Sequence, residues 1–279
     1  MGRKYMRAEK NQPDWNKIAE KFDLWLPQIE PTGEALLKAL DAREGDLILD
    51  VASGTGEPAL TLARRMQDKI KIVGIDAAAG MANVAQAKVE KEGLTNISFQ
   101  TMPAEKMSFA DETFDRLLCR FGVMLFEDSL QGLKEMHRVL KNNGRFSLAV
   151  WSTPETMLTM YWTYEVFKNR VPEDYYPPLS KVTSLGAPGV MEEFLVEAGF
   201  NDFNIEKKIL NYQFESFEHY WDLVEASDIL KMQYDALPED QRHEVRDEVG
   251  RFARDFIKDG VLQVPHEYLL VSGNKTEFH

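Results

Sequence analysis

The segment Leu47-Ile48-Leu49-Asp50-Val51-Ala52-Ser53-Gly54-Thr55-Gly56-Glu57-Pro58-Ala59 constrains this chain more than any other stretch. It reads as a buried-type strand, a glycine turn, and a helix opened by a proline, a residue well suited to a first helical position. Gly54 and Gly56 let the turn take positive φ and let a ligand approach the backbone, while the first amides of the helix favour an anionic group. Twenty residues after Gly56, Asp76 ends a second apolar run, Ile72-Val73-Gly74-Ile75-Asp76. An acid at that place can accept both ribose hydroxyls of an adenosine. Strand, turn, helix, strand and terminal acid in this register predict an adenosine-cofactor site, in which a methionine-type carboxylate and a pyrophosphate are equally suited to the turn.

Short β-branched runs alternate with longer segments of helical period, the pattern of a mostly parallel sheet covered by helices. Strands are expected near Leu47–Val51, Ile70–Asp76, Ile97–Thr101, Phe114–Arg120 and Arg145–Trp151, with helices near Pro58–Met66, Ala79–Glu92 and Ser129–Leu140. Upstream, Pro13–Leu26 places Trp15, Ile18, Phe22 and Trp25 on one helical face, and Thr32–Leu40 reads as a second helix. Downstream, Met157–Pro178 is aromatic and punctuated by proline. A helix at Gly189–Ala198, a strand near Phe203–Leu210 and a helical block from Ser216 to Lys258 follow. Glu267–Ser272 is strand-like, suited to the sheet's far side or edge. The expected fold is therefore α/β: a Rossmann-like, doubly wound, mostly parallel seven-stranded sheet with an N-terminal helical lid and a helical cap. Residues 1–40 would form the lid and 41–152 the cofactor-binding core. Residues 153–279 would supply cap insertions and the final strands of the same domain.

Acidic residues outnumber basic ones by 46 to 33, for a formal charge of −13, which disfavours a phosphate backbone as substrate. A single cysteine, Cys119, excludes an intrachain disulfide and any multi-cysteine metal site. The start, Met1-Gly2-Arg3-Lys4, is polar and leads to no apolar core of a signal peptide, and no run of about 18 apolar residues suggests a membrane span. A soluble, cytoplasmic protein is expected. Nucleic acid is not expected as a partner.

Further along, more of the pattern agrees. Ala104-Glu105 follows the third strand, Ser108-Phe109-Ala110-Asp111-Glu112-Thr113-Phe114-Asp115 leads into the fourth, and Arg138-Val139-Leu140-Lys141-Asn142-Asn143-Gly144-Arg145 leads into the fifth. With Leu49-Asp50-Val51-Ala52-Ser53-Gly54-Thr55-Gly56 as motif I, residues 12–151 resemble the class I S-adenosylmethionine-dependent methyltransferases. Within that class they are most similar to the ubiquinone/menaquinone C-methyltransferase and small-molecule O-methyltransferase subgroup. The resemblance implies S-adenosyl-L-methionine as cofactor and a small-molecule acceptor. It implies that Asp50 orients the methionyl amino group, Gly54 and Gly56 line the cofactor, and Asp76 holds the ribose. Ala77 and Met81 would flank the adenine, Ala104 and Glu105 would border it, and Cys119-Arg120-Phe121-Gly122 would form the floor beneath the sulfonium. Two positions depart from the family pattern: Pro103 replaces an acidic or amide residue, and Phe22 stands where tyrosine is common.

Methyl transfer from a sulfonium chiefly needs alignment and exclusion of water, so the sequence need not display a catalytic residue. The histidines, His137, His219, His243, His266 and His279, form no metal-ligand spacing. His219, beside Tyr220 and Trp221, is the candidate base. Phe22, Trp25, Tyr161, Trp162 and Trp221 are candidates to line an aromatic or quinone-like acceptor, although core packing more often accounts for any single one of them. A short-chain NAD(P)-dependent oxidoreductase is the rival, because Gly54-x-Gly56-x-x-Ala59 with Asp76, Ser152 and the pair Tyr164 and Lys168 also meets that pattern. Asp50, four residues before Gly54 where that family carries glycine, favours the methyltransferase. A non-catalytic S-adenosylmethionine-binding protein would share every one of the cofactor features.

Overall fold

Residues 13–276 are described in the computed structural model. The chain opens with helices α1 (Trp15–Phe22) and α2 (Leu26–Leu40), joined by a 3-10 turn at Asp23–Trp25. Alternating elements follow: β1 (Leu47–Val51), α3 (Ala59–Met66), β2 (Lys71–Asp76), α4 (Ala79–Glu92), β3 (Ile97–Thr101), β4 (Phe114–Arg120), α5 (Ser129–Val139) and β5 (Leu140–Trp151). The second half holds α6 (Leu158–Phe167), α7 (Leu179–Val182), α8 (Val190–Ala198), β6 (Asp202–Phe214), α9 (Phe217–Ala226), α10 (Lys231–Asp235), α11 (Arg242–Ala253), β7 (Ile257–Lys258) and β8 (Val261–Asn274).

Seven strands run side by side in the order β3-β2-β1-β4-β5-β8-β6, and the two-residue β7 pairs with β8. The first five are parallel, as crossover helices require, whereas β8 is antiparallel to both of its long neighbours. This is the expected α/β architecture, with one correction. Glu267–Ser272 lies inside the sheet, wedged between β5 and β6, and β6 is the edge. Four consecutive buried residues, Tyr268 to Val271, explain why: a strand covered on both faces does not alternate.

The N-terminal stripe is also split. Ile18 and Ala19 of α1 are buried, and Trp15 meets Phe22 edge-on at 6.1 Å. Trp25, carried on the 3-10 turn, leaves that face and meets Tyr212 of β6 at 6.3 Å. The following helix begins at Leu26 rather than Thr32, since Pro27 in its first turn forfeits no hydrogen bond. Gln28 then docks α2 on the end of β6, its amide exchanging two hydrogen bonds with the backbone of Gln213 at 2.8 and 3.0 Å. The cap shares the main core rather than forming its own, because Trp162, Trp221 and Val245 belong to one apolar cluster with Leu117 and Phe146 of the sheet.

Arg138 shows why the segments before β4 and β5 occur together. Its guanidinium donates to the carbonyls of Phe109 at 2.8 Å and Met107 at 3.0 Å, and it grips Glu135 at 2.7 and 2.8 Å. The Arg138 hydrogen bonds hold the Glu135 carboxyl below its ordinary range. A depressed carboxyl contributes stability above the unfolded pKa, ~4.3, and that contribution disappears as pH falls through the folded value. Glu135→Gln is therefore expected to cost about 1–2 kcal/mol in urea unfolding at pH 7. The gap should close as pH drops below about 4; a gap independent of pH would refute the ionic origin.

Candidate functional site

The site is built where β1, β2 and β4 end. Ala52, Gly54 and Gly56 all take positive φ, at 53°, 54° and 105°, and curl the chain over the strand ends. At Gly56 a Cβ would stand 2.6 Å from Leu60 Cδ1 and 3.1 Å from Phe99 Cζ, so only glycine fits between turn and helix. Asp76, at the tip of β2, accepts the Gly54 N–H and the Ala78 N–H, each at 2.9 Å. One carboxylate thus ties the glycine turn to the start of α4 and retains lone pairs for ribose hydroxyls. Burial pushes its pKa up, and the two amide bonds oppose that.

Asp50, one residue before the end of β1, has its side chain buried and its Oδ2 without a hydrogen bond among the described residues. Burial drives its pKa upward, while the Arg120 guanidinium pulls it back. An orphaned acceptor of this kind suits a methionyl ammonium, so the residues present fit the amino-acid end of S-adenosylmethionine. Met81 and Ala78 are buried beneath α1, against Ile18 and Ala19, and Ala77 is exposed at the rim. Ala104 is buried as expected of an adenine border. Glu105 is half-buried beside it, and one oxygen of its carboxylate, Oε1, accepts the amides of Glu127 at 2.8 Å and Asp128 at 3.4 Å, bracing the loop before α5.

At the end of β4, Phe121 has a φ of 56° and donates its N–H to Ala149 O at 2.9 Å. Its ring stacks on Trp151 of β5 at 3.9 Å, nearly parallel at 8°. Tyr212 meets Trp151 edge-on at 6.4 Å and His266 at 4.1 Å. Trp25 closes this wall, with its buried Nε1 lacking a hydrogen bond among the described residues. Burial pushes the Cys119 thiol up to about 12, leaving it inert at neutral pH.

The other predicted residues fall elsewhere. Trp162 packs on Phe256 at 5.3 Å and is 2% exposed, and Trp221 is 1% exposed with its Nε1 bonded to Glu225 at 2.9 Å. Both are interior residues of the cap, because helices α6, α9 and α11 need large side chains between them. Tyr161 is half-buried against the same core, and Phe22 lies over the glycine turn, 4.0 Å from where a Gly54 Cβ would stand. His219 is exposed at the start of α9; its N–H bonds the capping hydroxyl of Ser216 at 3.2 Å, and its ring accepts Glu215 N–H at 3.3 Å. It caps a helix and faces no site. His279 lies outside the described residues, as does Met1–Lys4.

Trp151, Tyr212 and His266, which the structure gathers beside Phe121, were not singled out from sequence. Period-two burial of Leu210, Tyr212 and Phe214 could have placed Tyr212 on an inner face, but not opposite Trp151. His266 is held between the Val264 carbonyl at 3.0 Å and Thr159 Oγ1 at 2.8 Å, and burial pushes its pKa down to about 3, so it stays neutral. The dehydrogenase constellation is not assembled. Ser152 donates to Glu267 at 2.6 Å, and Lys168 holds both oxygens of its neighbour Glu165 at 2.7 Å.

Five parallel strands closed by an antiparallel strand slipped between β5 and the edge, with a glycine turn after β1 and an acid ending β2, define a class I S-adenosylmethionine-dependent methyltransferase. The chain belongs to the ubiE/COQ5 methyltransferase family, whose model matches residues 20–175. It is 37% identical over 155 residues to the ubiquinone/menaquinone biosynthesis C-methyltransferase UbiE of Geotalea uraniireducens, a match spanning 51% of this chain and 66% of that protein. It is 34% identical over 173 residues to a demethylmenaquinone methyltransferase of Bacteroides fragilis, across 57% of this chain and 69% of the relative. The crystal structure of YcgJ from Bacillus subtilis shares the fold, with a TM-score of 0.62 and 20% identity over 89% of this chain and all of that one. S-adenosyl-L-methionine is the cofactor. Among the described residues, no helix is long and apolar enough to cross a membrane, and no group of acidic, histidine or cysteine side chains could hold a metal.

Proposed function

We propose that this methyltransferase acts on a flat, quinone-like aromatic acceptor in its reduced form, placing the methyl on a ring carbon. The observation that carries the reading is the aromatic wall at the end of β4 and β5, Phe121 stacked on Trp151 with Tyr212 and Trp25 beside them. The names of the relatives, which are C-methyltransferases of quinone biosynthesis, support it.

S-adenosylmethionine supplies an activated methyl group when bound. The chain's own residues then have three tasks. Asp50, the glycine turn and Asp76 orient the donor, and α1 lies across the start of α4, where it excludes water. The stacked rings hold an aromatic acceptor flat against the β4 end. The Tyr212 hydroxyl, whose pKa burial pushes far up, remains a neutral donor. With the Trp25 indole N–H it can hold an oxygen of the acceptor, since neither group has a hydrogen bond among the described residues. Among the described residues no side chain of this wall is poised as a base, so the electron-rich ring of the hydroquinone itself supplies the electron pair: its carbon–methyl bond forms as the sulfur–methyl bond breaks, and the proton on that carbon then passes to water as the ring regains aromaticity.

The test is incubation with S-adenosylmethionine and a panel of a reduced demethylnaphthoquinone, a catechol and an amine, read by mass spectrometry. One added methylene on the naphthoquinol ring is expected, and Tyr164→Phe should leave that rate within about twofold. Methylation of the catechol or amine alone would overturn the acceptor class. Tight cofactor binding with no product from any acceptor would point instead to a non-catalytic binding protein.

A further inference from the structure

His266 of β8 is buried, and both of its ring nitrogens are engaged. Nδ1 lies 3.0 Å from the carbonyl of Val264, which can only accept, so Nδ1 carries the proton. Nε2 is then bare. It accepts the Thr159 N–H at 3.3 Å and the Thr159 hydroxyl at 2.8 Å. Two backbone groups thus settle the tautomer, one that only accepts and one that only donates.

Thr159 stands in the first turn of α6, where backbone amides have no partner within the helix. Met157, just before that turn, offers no side-chain cap and pairs with His266 in an isolated antiparallel bridge. The imidazole therefore does from β8 what a capping residue ordinarily does from the helix's own end. It joins the cap to the sheet.

The flat faces of the same ring have another task. Tyr212 lies against it at 4.1 Å, tilted by 35°, and Trp151 at 6.0 Å. Tyr212 also meets Trp25, at 6.3 Å. A phenylalanine could pack here and a glutamine could reach Thr159, but only a neutral imidazole offers a flat ring with a donor at one edge and an acceptor at another.

We propose that His266 is a positioning residue for the acceptor: it fixes the plane of the Tyr212 ring, and hence the hydroxyl offered to the acceptor oxygen, and it ties that setting to the start of α6 through Thr159. The proposal rests on the acceptor reading above. It gives the cap a part in acceptor recognition although its largest aromatics, Trp162 and Trp221, are interior.

The test is steady-state kinetics with the reduced demethylnaphthoquinone as varied acceptor, alongside calorimetry with S-adenosylhomocysteine. His266→Phe, which keeps a flat ring and loses both polar edges, should raise the acceptor KM about tenfold. Its kcat should stay within about threefold of the parent, with S-adenosylhomocysteine affinity unchanged. In a Tyr212→Phe background the same substitution should change KM by less than about twofold, because no hydroxyl is left to place. Thr159→Val should raise KM about threefold, and Thr159→Ser, which keeps the hydroxyl, should not. That pair leaves His266 in place and decides the matter if His266→Phe does not fold. A KM rise of the same size with and without the Tyr212 hydroxyl would overturn the proposal, since His266 would then act on packing alone. So would an unchanged acceptor KM in Thr159→Val, or a loss shared with S-adenosylhomocysteine binding. Failure of the acceptor reading shows in the wild-type protein instead, as methylation of the catechol or amine alone or of nothing, and it would take this inference with it.

Discussion

Asp76→Ala is expected to weaken binding of S-adenosylhomocysteine and of 5′-methylthioadenosine alike, by about 100-fold, or ~3 kcal/mol. Losing the ribose contacts accounts for part of this. The rest comes from the two amides that Asp76 satisfies, those of Gly54 and Ala78, because the turn that carries the ligand is anchored through them. Asp76→Asn, which keeps one carbonyl oxygen as acceptor, should fall between. Unchanged affinity in Asp76→Ala would end the ribose assignment.

Deleting residues 1–25 should lower methyl transfer by at least about 10³-fold while the remainder stays folded. The helix removed is a satellite of the core: Ile18 and Ala19 form a small cluster with Ala78 and Met81, separate from the main one. It is nonetheless tied across the site. Asn16 accepts the Gly80 N–H at 2.8 Å, and Asp23 joins Thr55 Oγ1 at 2.5 Å to Lys88 Nζ at 2.7 Å. Asp23→Ala alone should cut transfer roughly tenfold by loosening the same closure. Transfer at the parental rate by the shortened chain, on an acceptor the full chain methylates, would remove the lid role.

Much of this site was legible before any fold was known. The glycine turn is a local device, because positive φ and a close helix start demand glycine whatever surrounds them, and Asp76 follows at a spacing set by one crossover. Helix α4 runs from Ala79 to Glu92 as its pattern predicts, ended by Gly93 in the left-handed region at φ 66°. The aromatics were another matter. Trp25, Phe121, Trp151 and Tyr212 come from a 3-10 turn, a loop and two strands, whereas Trp162 and Trp221, equally conspicuous in sequence, went to the cap interior. His219 carries the right chemistry for a site, but the amide of Glu215 and the cap of α9 hold it at the surface.

On the cofactor side, contiguous residues suffice: the strand, the turn, the acid that ends β2, and the order in which strands and helices alternate. Each of these rests on dihedral preference, periodicity and short chain separation, which are properties of contiguous residues. The aromatic wall, by contrast, exists only once the chain has folded. The insertion of β8 between β5 and β6 brings His266 against Tyr212 and Trp151, and the packing of α2 against β6 brings Gln28 onto the backbone of Gln213. Both depend on pairings between segments far apart along the chain, where the energy of a contact belongs to two surfaces and is written in neither alone.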